Sequence, residues 1–173
     1  MNTTKIFGIN SLTIYPITSD TATTYTLGAP VTLEGAKSLE VSFSVEEHDL
    51  TGAEMVLDTF VRVRKLTFSA QFAKLAFEAL QTVLNSNITE TGVCQQLGGS
   101  PEYFKLKATS EGTDAGLLEL HLMKCKINAI PIKLSENDFS TFSISGTGIF
   151  TTHKFLKGEK EAPMLMDIVF EGA

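Results

Sequence analysis

The run Ser38–Phe72 alternates apolar and polar positions almost without a break on both sides of one acidic clump. Leu39, Val41, Phe43 and Val45 fall on one side of an extended chain, and Ser38, Glu40, Ser42, Ser44 and Glu46 on the other. Successive side chains of a strand point to opposite faces, so period two over this length predicts one buried face and one wet face. Alternation returns with Leu57, Val61 and Val63, changes phase near Arg64, and continues with Leu66, Phe68, Ala70 and Phe72. A phase change inside a strand predicts a bulge, or a handover from one sheet partner to another. Between the two runs, EEHDLTGAEM breaks the pattern with charge and with Gly52, which predicts a loop of about ten residues, Glu46 to Met55. Hairpin connections are usually about 2–5 residues long, and long loops on rigid strands tend to carry function.

The same pattern places the remaining elements. Lys5–Ile17 alternates loosely and stops at Pro16, a strand, and Thr21–Leu33 reads as a short strand and loop. Ala76, Phe77, Leu80 and Leu84 recur at helical spacing, with Lys74, Glu78, Gln81, Thr82 and Asn85 opposite. That predicts one amphipathic helix over Ala73–Asn85, covering a sheet face. Ser86–Pro101 is polar and glycine-rich, a loop. Three strands follow: Tyr103–Ser110, Leu117–Ile130 and Phe139–Thr152, the first two joined by the turn EGTDAG. In the second, Leu118, Leu120 and Leu122 share a face, then Met123, Cys125 and Ile127 take over on the other. In the third, Gly146 and Gly148 stand at alternate positions, which predicts a bend or a close backbone approach. KGEKEAP reads as an exposed charged link and Met164–Phe170 as a terminal strand. The expected fold is mainly β: a single domain over residues 1–173, a β-sandwich or barrel with one flanking helix and a long hairpin loop.

Composition narrows the function classes. A chain of 173 residues, 43% hydrophobic, buries a core without needing a metal or disulfide. Its net charge of −6 argues against tight phosphate binding, which depends on cationic neutralisation. No apolar run reaches the ~20 residues of a membrane helix, so no membrane partner is expected. Cys94 and Cys125 form neither a metal spacing nor a disulfide framework and read as free thiols, Cys125 as core filler.

The letters offer little chemistry. No phosphate-binding loop, nucleophile elbow, zinc helix or dinucleotide fingerprint is present, so no catalytic residue and no cofactor is expected. Glu46, Glu47, His48 and Asp49 are the densest set of ligand-type residues, but no calcium-loop pattern follows, and a solvated charged tip explains them without a metal. Glu119 and His121 lie on one strand face, where the carboxylate could orient the imidazole. Lys105, Lys107, Lys124 and Lys126 make a basic stripe near Tyr103, a pattern of single-strand binders, though lysines guarding sheet edges explain it more simply. Long two-sided strands leave unpaired edges, and one remedy is to close sheets between copies into a ring. Glu40, Ser42, Ser44 and Glu46 would then face an aqueous lumen instead of bulk solvent.

The stretch AKSLEVSFSVEEHDLTGAEMVLDTFVRVRKLTFSAQFAKLAFEAL resembles the long-hairpin-plus-helix region of the major tail tube proteins of long-tailed phages. EYFKLKATSEGTDAGLLELHLMKCKINAI followed by DFSTFSISGTGIF resembles that family's paired-strand ending. The resemblance runs from about Ala36 to Phe150 and has no catalytic letters. It implies a non-enzymatic virion protein, assembled in the host cytoplasm, whose hexameric rings stack into a tube and close an inter-subunit β-barrel. It implies as partners further copies of the chain, a tape measure and other tail proteins, with DNA passing through the lumen without specific binding. An acidic wall would repel phosphates and let DNA slide; Glu40, Ser42, Ser44 and Glu46 are the lumen candidates, with Glu119 a further one. Glu47, His48, Asp49, Leu50, Thr51, Gly52 and Glu54 would form a loop reaching an adjacent ring. Alternatives are a tube subunit of the type VI secretion kind, or a β-sandwich capsid decoration or binding module.

Overall fold

The computed structural model describes residues 6–52, 55–73, 87–89, 92–94, 102–112, 117–130, 132–133 and 141–171. In chain order the strands are β1 (Ile6–Asp20), β2 (Tyr25–Leu27), β3 (Val31–Leu33), β4 (Ala36–Gly52), β5 (Met55–Phe72), β6 (Asn87–Thr89), β7 (Gly92–Cys94), β8 (Phe104–Gly112), β9 (Leu117–Ala129), β10 (Ile132–Lys133), β11 (Thr141–Gly148), β12 (Lys154–Lys157), β13 (Lys160–Pro163) and β14 (Met166–Glu171). The molecule is thus mainly β, as its alternation predicts. Apart from Ala73, the expected helix over Ala73–Asn85 lies outside the described residues.

Ten strands form one antiparallel sheet in the order β2-β1-β8-β9-β11-β5-β4, with β3 on β1, β10 on β11 and β14 on β9. Among the described residues the two ends of this order do not pair, so the sheet they form is not a closed barrel. It curls so that inward side chains from both ends meet in one core, which includes Leu12 and Ile14 of β1, Leu66, Phe68 and Phe72 of β5, and Phe104 and Leu106 of β8. The rings of Phe68 and Phe104 meet edge to face with centroids 6.1 Å apart, a favoured aromatic geometry.

Both predicted phase changes are resolved by register. Ser44 pairs with Lys65 and Val45 with Val63, so Arg64 is the extra residue of a bulge. The handover occurs at the same place: β11 accompanies β5 only as far as the pair Gly148–Leu66. In β9, Phe104 pairs with Cys125 and Leu106 with Leu122, so the strand bulges between Leu122 and Cys125. This bulge turns the second apolar set back onto the same core: Leu122, Met123, Cys125 and Ile127 are all buried. β9 also changes partner there, pairing β14 along Leu117–Leu122 and β11 along Cys125–Ala129.

The alternate glycines mark close approach. A Cβ on Gly146 would lie 2.4 Å from the Lys126 carbonyl oxygen and 2.6 Å from the Phe68 ring, and one on Gly148 would lie 2.6 Å from Leu66 Cδ2. Three loop expectations are corrected. Within Ser86–Pro101, expected as loop, β6 and β7 pair antiparallel. KGEKEAP is no link: β12 and β13 pair as a hairpin whose turn places Gly158 at φ 64°, where glycine is favoured. The acidic run after Val45 is strand, not loop: Glu46, Glu47, His48, Asp49, Leu50, Thr51 and Gly52 all belong to β4 and pair with β5, ending at Gly52 opposite Met55. Ala53 and Glu54, at the tip, lie outside the described residues. Charge breaks the hydrophobic pattern here because the pair has already left the core, so neither face has to be apolar.

Candidate functional site

β4 and β5 run on together beyond the rest of the sheet. Past Ser44 and Lys65 they pair only with each other among the described residues, forming a two-stranded arm. From Ser44 to Gly52 the arm reaches about 26 Å, at ~3.3 Å of rise per residue. Among the described residues, the outer edge of β4 and that part of the outer edge of β5 have no strand partner. An isolated two-stranded ribbon is marginal in water, and open edges invite another strand.

At the base of the arm, the face that continues the core is apolar and exposed. Leu39 and Val41 pack against the core, but Phe43 is 45% exposed, Val45 52% and Val63 37%. Val45 and Val63 stand directly opposite one another, and Phe43 stands opposite the fully buried Leu66. One strand face therefore begins inside the fold and ends outside it. The sequence contains the alternation but not the place where the covering layer stops.

The opposite face is hydroxylated. Glu40, Ser42 and Ser44 are exposed there, opposite Ser69, Thr67 and Lys65 in turn. The row continues across β11, where Ser145 stands opposite Ser69 and Thr147 opposite Thr67, and reaches Lys126 of β9. The Asn128 amide donates to Thr147 Oγ1 at 2.8 Å. Sequence reasoning found the β4 part of this surface and missed Thr67, Ser69, Ser145 and Thr147, whose alternation in TFSAQF and SISGTG was the available signal. The residues named on this face include one acid, Glu40, and two bases, Lys65 and Lys126. Glu46, the other acidic candidate, stands on the arm opposite Arg62. Over these residues the face is nearly neutral and rich in hydroxyls.

Glu119 is not a free carboxylate. Lys107 Nζ lies 2.5 Å from its Oε1 and His121 Nε2 lies 2.9 Å from its Oε2. These two bonds hold its pKa below the ordinary value against the opposing effect of burial. Burial lowers the pKa of His121, with Lys105 and Lys107 adding to the effect and Glu119 opposing it. The sequence pair Glu119–His121 thus forms the expected contact, inside a satisfied ion cluster.

A second polar centre joins the C-terminal segment to the sheet. Asp20 at the end of β1 accepts from Lys124 Nζ at 2.6 Å and from the backbone N–H groups of Thr152 and His153 at 2.9 Å each. Burial pushes its carboxyl up, but Lys124 and the two backbone donors outweigh burial and hold it below its ordinary value. Beside it Tyr25 donates its hydroxyl to the Met123 carbonyl and packs edge-on against Phe155, with ring centroids 5.1 Å apart. Burial raises the Tyr25 pKa, so the hydroxyl stays a donor. Asp20, Lys124 and Tyr25 are each engaged in holding the fold, while the buried His153 Nδ1 has no hydrogen-bond partner among the described residues.

An apolar hollow of about 170 Å³ lies where Ile9, Leu39, Leu118 and Leu120 approach one another between β1, β4 and β9. Its lining also includes Thr109, whose hydroxyl is 2.6 Å from that of Ser11. No three His, Cys, Asp or Glu residues gather as a metal site among the described residues. Against known proteins, no family model and no curated sequence matches the chain.

Proposed function

We propose that the chain is a structural, tube-forming subunit that completes its fold by pairing with further copies of itself. One observation carries this reading: the β4–β5 arm runs past the rest of its sheet with both edges unpaired among the described residues, and with Phe43, Val45 and Val63 exposed at its base. A strand edge supplied by a neighbour would satisfy the backbone, and a neighbour's apolar face would cover the stripe. An edge on one copy pairing with a different edge on the next is a head-to-tail contact, and such contacts close into rings when the rotation permits.

The resemblance to phage major tail tube proteins gives this assembly its form: hexameric rings stacked into a conduit for DNA. The hydroxylated face of Glu40, Ser42 and Ser44 supports the role of conduit wall in a different way from the acidic wall first expected. Neutral hydroxyls exchange hydrogen bonds with water and with a passing solute at little net cost. With few ammonium groups there is little counterion release to trap a polyanion. The arm, not a loop, is then the element that reaches a neighbouring subunit or ring.

Negative-stain microscopy of concentrated protein tests the reading. Rings or tubes are expected. A monomeric mass at every concentration and salt, measured by sedimentation on protein with an intact arm, overturns it.

A further inference from the structure

The lysine stripe on β8 and β9 does not guard an edge. β8 lies between β1 and β9, and β9 lies between β8 on one side and β14 and β11 on the other. Cations on central strands need a different account, and most have one. Lys107 is bound to Glu119 and Lys124 to Asp20. Lys124 and Lys126 also lie over the Tyr103 ring, at 4.7 and 5.5 Å from its centroid. Asp167, the acid that β14 brings opposite His121, is bonded to Lys157 at 2.9 Å.

Lys105 is left over. It is half-buried, two residues from Tyr103 and two from Lys107 on β8, and opposite Tyr15 of β1. No carboxylate lies within 4 Å of it among the described residues. Burial, then the Lys107 charge, lower its pKa, and the more distant Asp167 and Glu119 oppose this only in part. A partly desolvated ammonium lacking a counter-ion is costly, and an arriving anion removes that cost.

We propose that Lys105, with Lys126 beside the Tyr103 ring, receives Glu47 and Asp49, which stand at alternate positions of β4 in the acidic run, from the arm of a second copy. The inference rests on the assembly reading above and names the surface on which the arm lands. Charge complementarity selects the occupant. The chain carries −6 overall, yet this patch holds two cations not paired with a carboxylate. The acidic run has three acids in four residues and stands on the element that projects from the sheet. Glu159 and Glu161, on the other projecting hairpin, are interleaved with Lys157 and Lys160 and offer no net negative charge. A buried interfacial charge pair fixes register and partner more than it adds affinity, which suits an arm that must find one position on its neighbour.

Charge exchange tests this. Lys105→Glu is expected to raise the protein concentration needed for assembly about tenfold, a factor worth ~1.4 kcal/mol. Combining it with Glu47→Lys is expected to restore assembly. Lys105→Met keeps the stem and removes the charge. It is expected to fold normally by circular dichroism and to assemble less well than the wild type but better than Lys105→Glu, which adds repulsion. Assembly of both Lys105 variants at the wild-type concentration overturns the proposal, as does a defect that neither Glu47→Lys nor Asp49→Lys relieves. Binding of free duplex DNA by the wild type, lost in Lys105→Met, would assign the site to phosphate and also overturns it. A wild type that never assembles fails earlier, on the assembly reading itself, so the two failures are distinguishable.

Discussion

Val45 and Val63 face each other across the arm just beyond the Arg64 bulge, and both are partly open to solvent. Their stability value to the lone chain is therefore modest. The double substitution Phe43→Ser with Val45→Ser is expected to lower unfolding free energy by about 1–2 kcal/mol, because each side chain is only about half covered, well short of the cost of emptying two fully buried sites. The same variant is expected to lose assembly, because it removes the apolar stripe offered to a neighbour. Urea denaturation and sedimentation velocity on one preparation separate the two effects. A large stability loss would mean that the stripe is covered within its own chain.

The arm should also be dispensable to the core. Glu46 stands opposite Arg62, so replacing Glu47–Val61 by an Asn-Gly turn keeps that last pair and the register below it. The removed residues pair only with one another among the described strands. The thermal midpoint is expected to move by less than about 4 °C, roughly 1 kcal/mol at this size. Rings and tubes are expected to disappear from micrographs. Tube formation by the shortened chain would show that another surface drives assembly.

Much of this was legible in the letters, for identifiable reasons. Period two in Leu39–Val45 and Leu66–Phe72, the phase change at Arg64 and the glycine alternation each have a local physical cause, so each predicts its own structure. The acidic run misled because charge on a strand resembles a loop when the eye expects one buried face, and beyond the core there is none. The hidden parts are relational. Nothing local to Lys105 says that β8 is central, and nothing local to Phe43 says that the covering layer ends at Val41. Likewise Glu40 and Ser42 announce a wet face, but the neutrality of that face depends on Lys65, Thr67 and Thr147, which lie far away in sequence and beside it only through pairing.

Gly146 is expected to tolerate no side chain. It stands opposite Phe68 on β5 and Ile127 on β9, and an added Cβ would meet the Lys126 carbonyl at 2.4 Å, a backbone atom that cannot turn aside. Gly146→Ala is expected to cost about 2–3 kcal/mol, as overpacking of a tight core does. Gly148→Ala meets Leu66 Cδ2, a side-chain end that rotates more cheaply, and is expected to cost less. Chemical denaturation of the two variants gives the ranking, and a milder effect at Gly146 than at Gly148 would contradict the packing described.

Acid is expected to weaken the fold in two separable stages, both read from lowered pKa values. His121 has a folded pKa below its ordinary 6.5. Between those two values the unfolded chain binds the proton more readily than the native one, so stability falls as pH drops below about 6.5. Glu119 and Asp20 titrate from ordinary values of 4.5 and 3.8 to lower ones in the fold. Their stabilisation is present above those values and is lost as pH falls through the folded pKa of each. His121→Gln is expected to flatten the first stage and leave the Asp20 part of the second. Asp20→Asn removes the charge facing Lys124 while keeping a carbonyl for the Thr152 and His153 donors. It is expected to lower stability at neutral pH by about 1–3 kcal/mol, the range for losing a charged hydrogen bond, and to shrink the second stage. Urea midpoints measured from pH 7.5 to 3 for the three proteins give the comparison. A His121→Gln curve that still bends near pH 6 would assign the first stage to another group.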